Sequence, residues 1–174
     1  MIGLRNSIPK ELSRRLIIKV NNAATDDLVK QADHQKSLNP QYAEPWIIFD
    51  RDEVKNFDKI KEEADNARIN VGWSNPCIEI WFNAYFKRMP TYQTSVECCK
   101  GFETEFEKIT GKKYKKSDKR IYDILCEYGE EDKAIEIAEK KLEQCIKNGK
   151  KKPSERCPAT TMHTLIRDIK SKIK

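Results

Sequence analysis

Apolar positions in the first half of the chain alternate between short continuous runs and helical spacing. The runs WIIFD (residues 46–50) and INVGW (residues 69–73) each predict a strand, and apolar residues recur at helical spacing in 54–64 between them. The β-branched run RRLIIKV (residues 14–20) predicts another strand, followed by a helix with Thr25 as its N-cap. Strands that alternate with helices are typical of parallel β-α-β units. We therefore expect an α/β fold with a parallel sheet of three or more strands flanked by helices.

The rest of the chain has the periodicity of helices. The stretch SNPCIEIWFNAYF (residues 74–86) predicts a helix that follows the INVGW strand, with Ser74 or Asn75 as its N-cap. We expect residues 1–90 to form the α/β core and residues 91–174 to form a helical part packed on that core. The helices of this second part are predicted near residues 94–108, 118–128, 131–148 and 159–173.

Composition narrows the class of protein. The 174 residues suit one domain, and the net charge of +6 is compatible with a polyanionic partner. Six cysteines without a CxxC pair, and only two histidines, do not match the paired spacing of a structural zinc site. The sequence has no signal peptide and no long apolar run, so we expect a cytoplasmic protein with reduced thiols and no membrane span. The pair Cys98–Cys99 is expected to be a half-buried pair on a helix.

Two acids follow the WIIFD strand, where a parallel sheet places its functional sites. Asp50 ends the strand and Asp52 lies two residues on, so a turn can bring both carboxylates to the carboxyl edge of the sheet. Close carboxylates repel each other, and a divalent cation such as Mg²⁺ removes that repulsion. The alternative is that Asp50 caps the next helix, while Arg51, Asp52 and Glu53 are solvated charges of the loop.

A further acid lies after the next strand. Glu79 falls in the first turns of the predicted helix, close to the positive end of its dipole and among apolar neighbours. A carboxylate in such a position needs a partner. That partner is either a metal ion shared with Asp50 and Asp52, or a lysine together with the helix dipole.

A basic loop separates the last two predicted helices. The segment KNGKKKPSERCP, residues 147–158, is bounded by proline and rich in positive charge. It either contacts the phosphates of a nucleic acid or is simply solvated. The residues that would contact phosphate are Lys150, Lys151, Lys152 and Arg156.

Three stretches in this order, WIIFDRDE, SNPCIEIWFNAYF and CPATTMHTLI, resemble the RloB-like family of bacterial defence proteins over residues 45–170. The resemblance implies an α/β fold similar to Toprim domains, which carry out nucleotidyl transfer and nuclease reactions. It also implies a partner ATPase in an abortive-infection locus. By this resemblance Asp50 and Asp52 match the Asp-x-Asp that holds Mg²⁺ or Mn²⁺, and Glu53 matches the acid that follows. The positions that match the family's helix start and its late histidine are Ser74, Asn75, Glu79 and His163.

The chain departs from the family pattern at two places. Toprim-like members carry a catalytic glutamate after their first strand, in a Cys-Glu-Gly-like stretch that this sequence lacks. The sequence begins at MIGLRNSIPKEL, which resembles the end of the helix that follows that motif, so we expect a segment to be missing before it. The histidine of a Trp-x-x-x-His-Phe pattern is replaced by Tyr85.

Three functions are compatible with these features. The first is a nuclease of an anti-phage system that depends on Mg²⁺ or Mn²⁺ and cleaves DNA or RNA, with Asp50, Asp52, Glu53 and Glu79 as catalytic candidates. The second is a catalytically inactive partner or regulatory subunit of an ATPase-containing defence complex. The third is a basic module that binds nucleic acid without cleavage. If the chain is such a regulatory subunit, we expect aromatic residues of the second half to form the interface with the partner. The alternative is that these residues belong to the core; they are Phe106, Tyr114, Tyr122 and Tyr128.

Overall fold

The architecture is a small mixed sheet surrounded by helices. The computed structural model describes residues 1–14, 16–19, 24–39, 44–52 and 54–172. In these ranges the strands are β1 (Trp46–Asp50), β2 (Asn70–Asn75) and β3 (Ala159–Thr160). The helices are α1 (Ile2–Ser7), α2 (Lys10–Ser13), α3 (Leu28–Leu38), α4 (Phe57–Asn66), α5 (Glu79–Tyr85), α6 (Ser95–Thr110), α7 (Ile121–Tyr128), α8 (Glu131–Lys147) and α9 (Met162–Lys172). None of the described helices is long and apolar enough to cross a membrane.

The sheet has the order β1-β2-β3 and contains one parallel pair. Strands β1 and β2 are parallel and are joined through α4, which confirms the predicted β-α-β unit. Asp50 at the end of β1 pairs with Ser74 of β2. Strand β3 is antiparallel to β2 and pairs only with its last two residues. The prediction of three or more parallel strands is therefore wrong: the structure is α/β with a mixed sheet.

The strand predicted over residues 14–20 does not form in the described part of that segment. Leu16–Lys19 is described and contains no strand, whereas Arg15 and Val20 lie outside the described residues. Ile17 in this segment is 47% exposed. A β-branched run favours a strand only where a neighbouring strand is available for pairing and burial, and α3 packs on β1 instead.

The two parallel strands differ in burial. In β2, Val71 and Trp73 are buried on the side of α4, and Gly72 faces α9 on the other side. Phe57 of α4 packs edge-on against Trp73, with ring centroids 5.7 Å apart. In β1, Ile48 is 38% exposed. Strand β2 is therefore covered on both faces, whereas the face of β1 that carries Ile48 is partly exposed, as the position of β1 at the edge of the sheet allows.

The connection from β2 to α5 is longer than the sequence predicted. Ser74 and Asn75 are the last residues of β2, and α5 begins at Glu79, so neither residue is the N-cap of that helix. The Ser74 hydroxyl lies 3.0 Å from the Thr160 hydroxyl, and Asn75 Nδ2 donates to the Ser154 carbonyl at 3.0 Å. Pairing with β3 keeps this segment extended, and a two-residue strand leaves no periodicity by which it could be predicted.

The four helices predicted for the second half are confirmed as α6, α7, α8 and α9, except that residues 159–160, predicted as the start of the last helix, form β3 and α9 begins at Met162. Helix α6 begins with the Thr94 hydroxyl accepting from the backbone N–H of Glu97 at 3.1 Å, and the Glu97 carboxylate accepts from the N–H of Gln93 at 3.0 Å. The first bond is the side-chain cap of the N-cap residue Thr94, and the second holds the residue before the cap, so the two bonds together fix the start of the helix. The helix ends at Gly111 with φ of +67°, the left-handed conformation that favours glycine. Helix α5 packs against both α6 and α8.

The aromatic residues considered for an interface are mostly core residues. Phe106 is 1% exposed and packs on Tyr114, which is half-buried. Tyr122 is also half-buried and donates its hydroxyl to Glu131 at 3.0 Å. Of the four, Tyr128 alone is exposed, at 38%. The alternative that these aromatics belong to the core is therefore confirmed for Phe106.

Candidate functional site

The candidate site lies at the carboxyl end of β1, where Asp50 is partly buried. The backbone N–H of Ile78 donates to the Asp50 carboxylate. Burial raises the pKa of Asp50 to about 6, and the charges of Glu79 and Asp52 add to this rise, while Ile78 and the Lys116 ammonium oppose it. Asp50 is part of the strand and α4 begins at Phe57, so the alternative in which Asp50 caps that helix is wrong.

Asp52 is held in the turn that follows β1. Its backbone N–H donates to the Pro76 carbonyl at 2.9 Å, and the N–H of Arg51 donates to the Ser74 carbonyl at 2.8 Å. The Asp52 backbone has φ of +21°, at the margin of the left-handed region, which aspartate tolerates better than most residues. The Ser95 hydroxyl donates to the Asp52 carboxylate at 2.5 Å. The carboxylate and the backbone of Asp52 are thus held by contacts from two neighbouring segments, Ser95 and Pro76 respectively.

Asp50 and Asp52 line the same cleft. The cleft has a volume of about 580 Å³ and opens next to the end of β1. Both predicted ligands therefore face one space at the predicted edge of the sheet. Glu53, the third acid of this stretch, lies outside the described residues. The other residues that line the cleft are Ala24, Thr25, Phe49, Val54, Lys55 and Asn56.

Glu79 is the first residue of α5 and its side chain is completely buried. Its Oε1 accepts from the Tyr114 hydroxyl at 2.9 Å and pairs with Lys116 Nζ at 3.4 Å. Its Oε2 is buried and has no hydrogen-bond partner among the described residues. Burial opposes ionisation, but the Cys77 thiol, Lys116 and Tyr114 outweigh it and lower the pKa of Glu79. The alternative in which Glu79 pairs with a lysine is confirmed, and the charge of the same lysine also acts on Asp50.

Two cysteines lie next to Glu79, and the sequence alone did not predict this proximity. Cys77 precedes α5 and Cys99 lies on α6, and their Sγ atoms are 3.9 Å apart. The sulfur atoms of Cys77 and Cys99 and a carboxylate oxygen of Glu79 all lie within 4.8 Å of one another. Burial and the nearby Glu79 charge raise the pKa of Cys99 to about 12. The pair Cys98–Cys99 lies on a helix with one buried and one half-buried residue, as predicted.

The basic loop divides into structural and exposed residues. Lys150 Nζ donates to the Cys157 carbonyl at 2.8 Å, and Arg156 donates to the carbonyls of Lys150 at 3.1 Å and Lys151 at 2.7 Å. Lys151 and Lys152 are exposed. Two of the four residues predicted to contact phosphate therefore hold the shape of the loop, and two are placed where a polyanion could reach them.

The two remaining positions of interest lie on helices α9 and α5. His163 on α9 is buried, and its Nδ1 has no hydrogen-bond partner among the described residues. Burial and the neighbouring Arg167 lower the pKa of His163. Tyr85, at the position of the family histidine, donates its hydroxyl to Glu131 at 2.9 Å. Neither residue lines the cleft at Asp50.

Comparison with known proteins gives one match. The family described as RloB-like protein matches residues 4–169, which is nearly the whole chain. No curated protein and no solved structure matches it. The resemblance to Toprim domains expected from the sequence therefore stays a prediction.

Proposed function

The chain belongs to the RloB-like protein family, and from this premise we propose that it is a metal-dependent nuclease of a bacterial anti-phage system. Asp50 and Asp52 would hold Mg²⁺ or Mn²⁺, and the substrate would be DNA or RNA. The observation that carries the proposal is that both aspartates line one cleft at the carboxyl end of a parallel strand. This is the edge at which α/β sheets bind their ligands.

The chemistry of Asp50 supports a cation in this place. A partly buried carboxylate next to Asp52 and Glu79 is unfavourable when ionised, which is why its pKa is raised. Carboxylate oxygens, completed by water and substrate phosphate, are the ligands that Mg²⁺ prefers. Such a metal ion supplies charge neutralisation at the phosphate and activation of a water molecule.

The chain itself contributes orientation and positive charge to the proposed site. The Ser95 hydroxyl and the Pro76 carbonyl fix Asp52 through its carboxylate and its backbone N–H. Lys55 lines the cleft, and Lys116 places a positive charge near Asp50. Positive side chains at such an edge attract the phosphate backbone of a nucleic acid. Glu79 would act on the site through Lys116, as a positioning residue.

The proposal is tested first by calorimetric titration with Mn²⁺ and Mg²⁺. We expect saturable binding to the wild type, and loss of binding in Asp50→Asn and in Asp52→Asn. Asp65→Asn is a matched control because Asp65 lies near the end of α4, next to the opposite edge of the sheet. Failure of the wild type to bind either ion, or equal loss in the control, would contradict the metal site.

Cleavage is tested on the same variants with single-stranded DNA, duplex DNA and transfer RNA. A nuclease predicts cleavage that requires added Mg²⁺ or Mn²⁺ and is lost with Asp52→Asn. Metal binding without cleavage of any substrate would instead favour the regulatory subunit of an ATPase complex. In that case the ATPase partner must be added before activity is measured again.

A further inference from the structure

The contact between the β2–α5 connection and α6 brings together three potential metal ligands. Cys77 Sγ, Cys99 Sγ and a Glu79 carboxylate oxygen lie within 4.8 Å of one another, and the two sulfur atoms are 3.9 Å apart. Tetrahedral Zn²⁺ with Zn–S bonds of about 2.3 Å places two sulfur ligands about 3.8 Å apart. The spacing of the thiols therefore matches that of two zinc ligands without rearrangement of the backbone.

Glu79 provides the second and independent indication of a ligand. Its side chain is 0% exposed, and Oε2 has no hydrogen-bond partner among the described residues. A buried carboxylate oxygen without a partner is costly, and such atoms are rare in folded proteins. A cation bound between the Glu79 carboxylate and the two thiols would supply the missing partner.

The other carboxylate oxygen is already held in place. Tyr114 donates its hydroxyl to Oε1 at 2.9 Å, and Lys116 Nζ lies 3.4 Å from the same atom. Metal-binding carboxylates are commonly oriented by such outer hydrogen bonds, which leave the second oxygen for the metal. Tyr114 and Lys116 would thus fix the rotamer of Glu79 in the position that binding requires.

The sulfur ligands determine which metal ion this cluster would bind. Thiolates favour Zn²⁺ over Mg²⁺ or Mn²⁺, which prefer oxygen. As each sulfur binds, its thiol proton passes to solvent, so two thiolates and one carboxylate give three negative charges around a dication. The remaining negative charge is offset by Lys116, which lies beside the carboxylate.

We propose that Cys77, Glu79 and Cys99 form a zinc-binding site, separate from the cleft at Asp50 and Asp52 and chemically different from it. Three protein ligands leave a fourth coordination position for water, as in zinc sites that are not fully enclosed by protein ligands. The proposal does not depend on nuclease activity. It also explains why sequence spacing gave no zinc motif, because the ligands are adjacent in space and Cys99 lies on a separate helix.

The test is metal binding by the full chain under reducing conditions that do not chelate zinc. We expect one Zn²⁺ per chain, and Co²⁺ in its place should give thiolate charge-transfer and tetrahedral d–d absorption that Zn²⁺ abolishes. Cys77→Ser and Cys99→Ser should lose the cobalt spectrum. Cys145→Ser, which alters a buried thiol elsewhere, and Asp52→Asn should retain it.

Tyr114→Phe keeps all three ligands and removes one outer hydrogen bond, so it should weaken zinc affinity by about 10-fold or more. Circular dichroism of each variant without metal checks its folding, and Cys99→Ser is the milder change because Cys99 is only half-buried. The proposal is overturned if the reduced wild type binds no Zn²⁺, or if Cys145→Ser loses the cobalt spectrum as completely as a folded Cys99→Ser. A Cys77–Cys99 disulfide whose reduction restores no zinc binding would overturn it as well.

Discussion

Replacing Asp50 by asparagine should stabilise the protein near neutral pH. The ionised Asp50 carboxylate is partly buried, and the charges of Glu79 and Asp52 act against it. Asparagine has nearly the same shape, and its side-chain oxygen can still accept the hydrogen bond from the N–H of Ile78. The substitution therefore removes an unfavourable charge and keeps the favourable contact, although we expect it to abolish binding of Mg²⁺.

The magnitude follows from the pKa of Asp50. Burial raises this pKa from its ordinary value of 3.8 to about 6, and each pKa unit corresponds to about 1.4 kcal/mol. Ionisation in the folded protein therefore costs up to about 3 kcal/mol, and partial access of water to the side chain reduces this to about 1–3 kcal/mol. Between pH 3.8 and about 6 the folded protein holds more protons at Asp50 than the unfolded chain does. The free energy of unfolding thus falls as pH rises through this window. Below pH 3.8 the contribution of Asp50 to stability is complete, and above about pH 6 it has been lost.

The assay is urea unfolding of the wild type and Asp50→Asn at several pH values in the presence of a chelator. The variant should be more stable near neutral pH by about 1–3 kcal/mol, and the difference should shrink towards zero as pH falls to the ordinary pKa of aspartate. Saturating Mg²⁺ should stabilise the wild type alone and narrow the difference. Asp65→Asn is the control, with an expected change of a few tenths of a kcal/mol because the Asp65 side chain in its ion pair with Lys61 is 60% exposed. A variant that is less stable than the wild type near neutral pH, or a difference that does not depend on pH, would refute the reasoning.

Three further substitutions should destabilise the protein, each measured by urea unfolding near neutral pH. Glu131→Gln breaks the 2.6 Å ion pair with Lys170 at a carboxylate that is only 11% exposed, and should cost about 1–3 kcal/mol. Ser154→Ala removes the 2.5 Å hydrogen bond from its hydroxyl to Asp58, should cost about 1–2 kcal/mol, and should speed proteolysis of the basic loop. Gly129→Ala places a methyl group 2.6 Å from a backbone carbonyl oxygen and should cost about 1–3 kcal/mol. Wild-type stability in any of these variants would contradict the contact that it tests.

The sequence predicted those elements whose apolar pattern is long or continuous. Strands β1 and β2, helix α4 and the helices of the second half follow from runs and periods that lie within each segment. Strand β3 has only two residues, and its pairing with Ser74 and Asn75 depends on a segment more than 80 residues away. The strand prediction at Leu16–Lys19 was wrong because the local preference was not matched by a contact elsewhere in the fold. The local preference of this segment for a strand is clear, but no neighbouring strand pairs with it in the described structure.

The candidate site was also predictable only in part. The position of Asp50 and Asp52 follows from the rule that parallel strands bind ligands at their carboxyl ends, and this rule needs only the order of the elements. The surroundings of Glu79 could not be predicted in this way. Tyr114 and Lys116 reach it from the connection between α6 and α7, and Cys99 reaches it from α6 itself. These contacts depend on how the helices pack, which the spacing of residues along the chain does not encode.

Stability measurements can separate the two kinds of polar residue in this protein. The buried Thr160 hydroxyl donates to the Trp73 carbonyl and lies 3.0 Å from the Ser74 hydroxyl, so removing it leaves the buried Ser74 hydroxyl without this partner and should destabilise the fold. Asp50 and Glu79 are different, because the described contacts leave an unfavourable charge on the first and an unpaired oxygen on the second. A residue that reduces stability and lies at a cleft or a ligand cluster is expected where function requires a charge that the folded structure does not need. A substitution at Asp50 that stabilises the protein while it abolishes metal binding would therefore identify a functional acid more directly than a loss of activity, because misfolding cannot produce that combination.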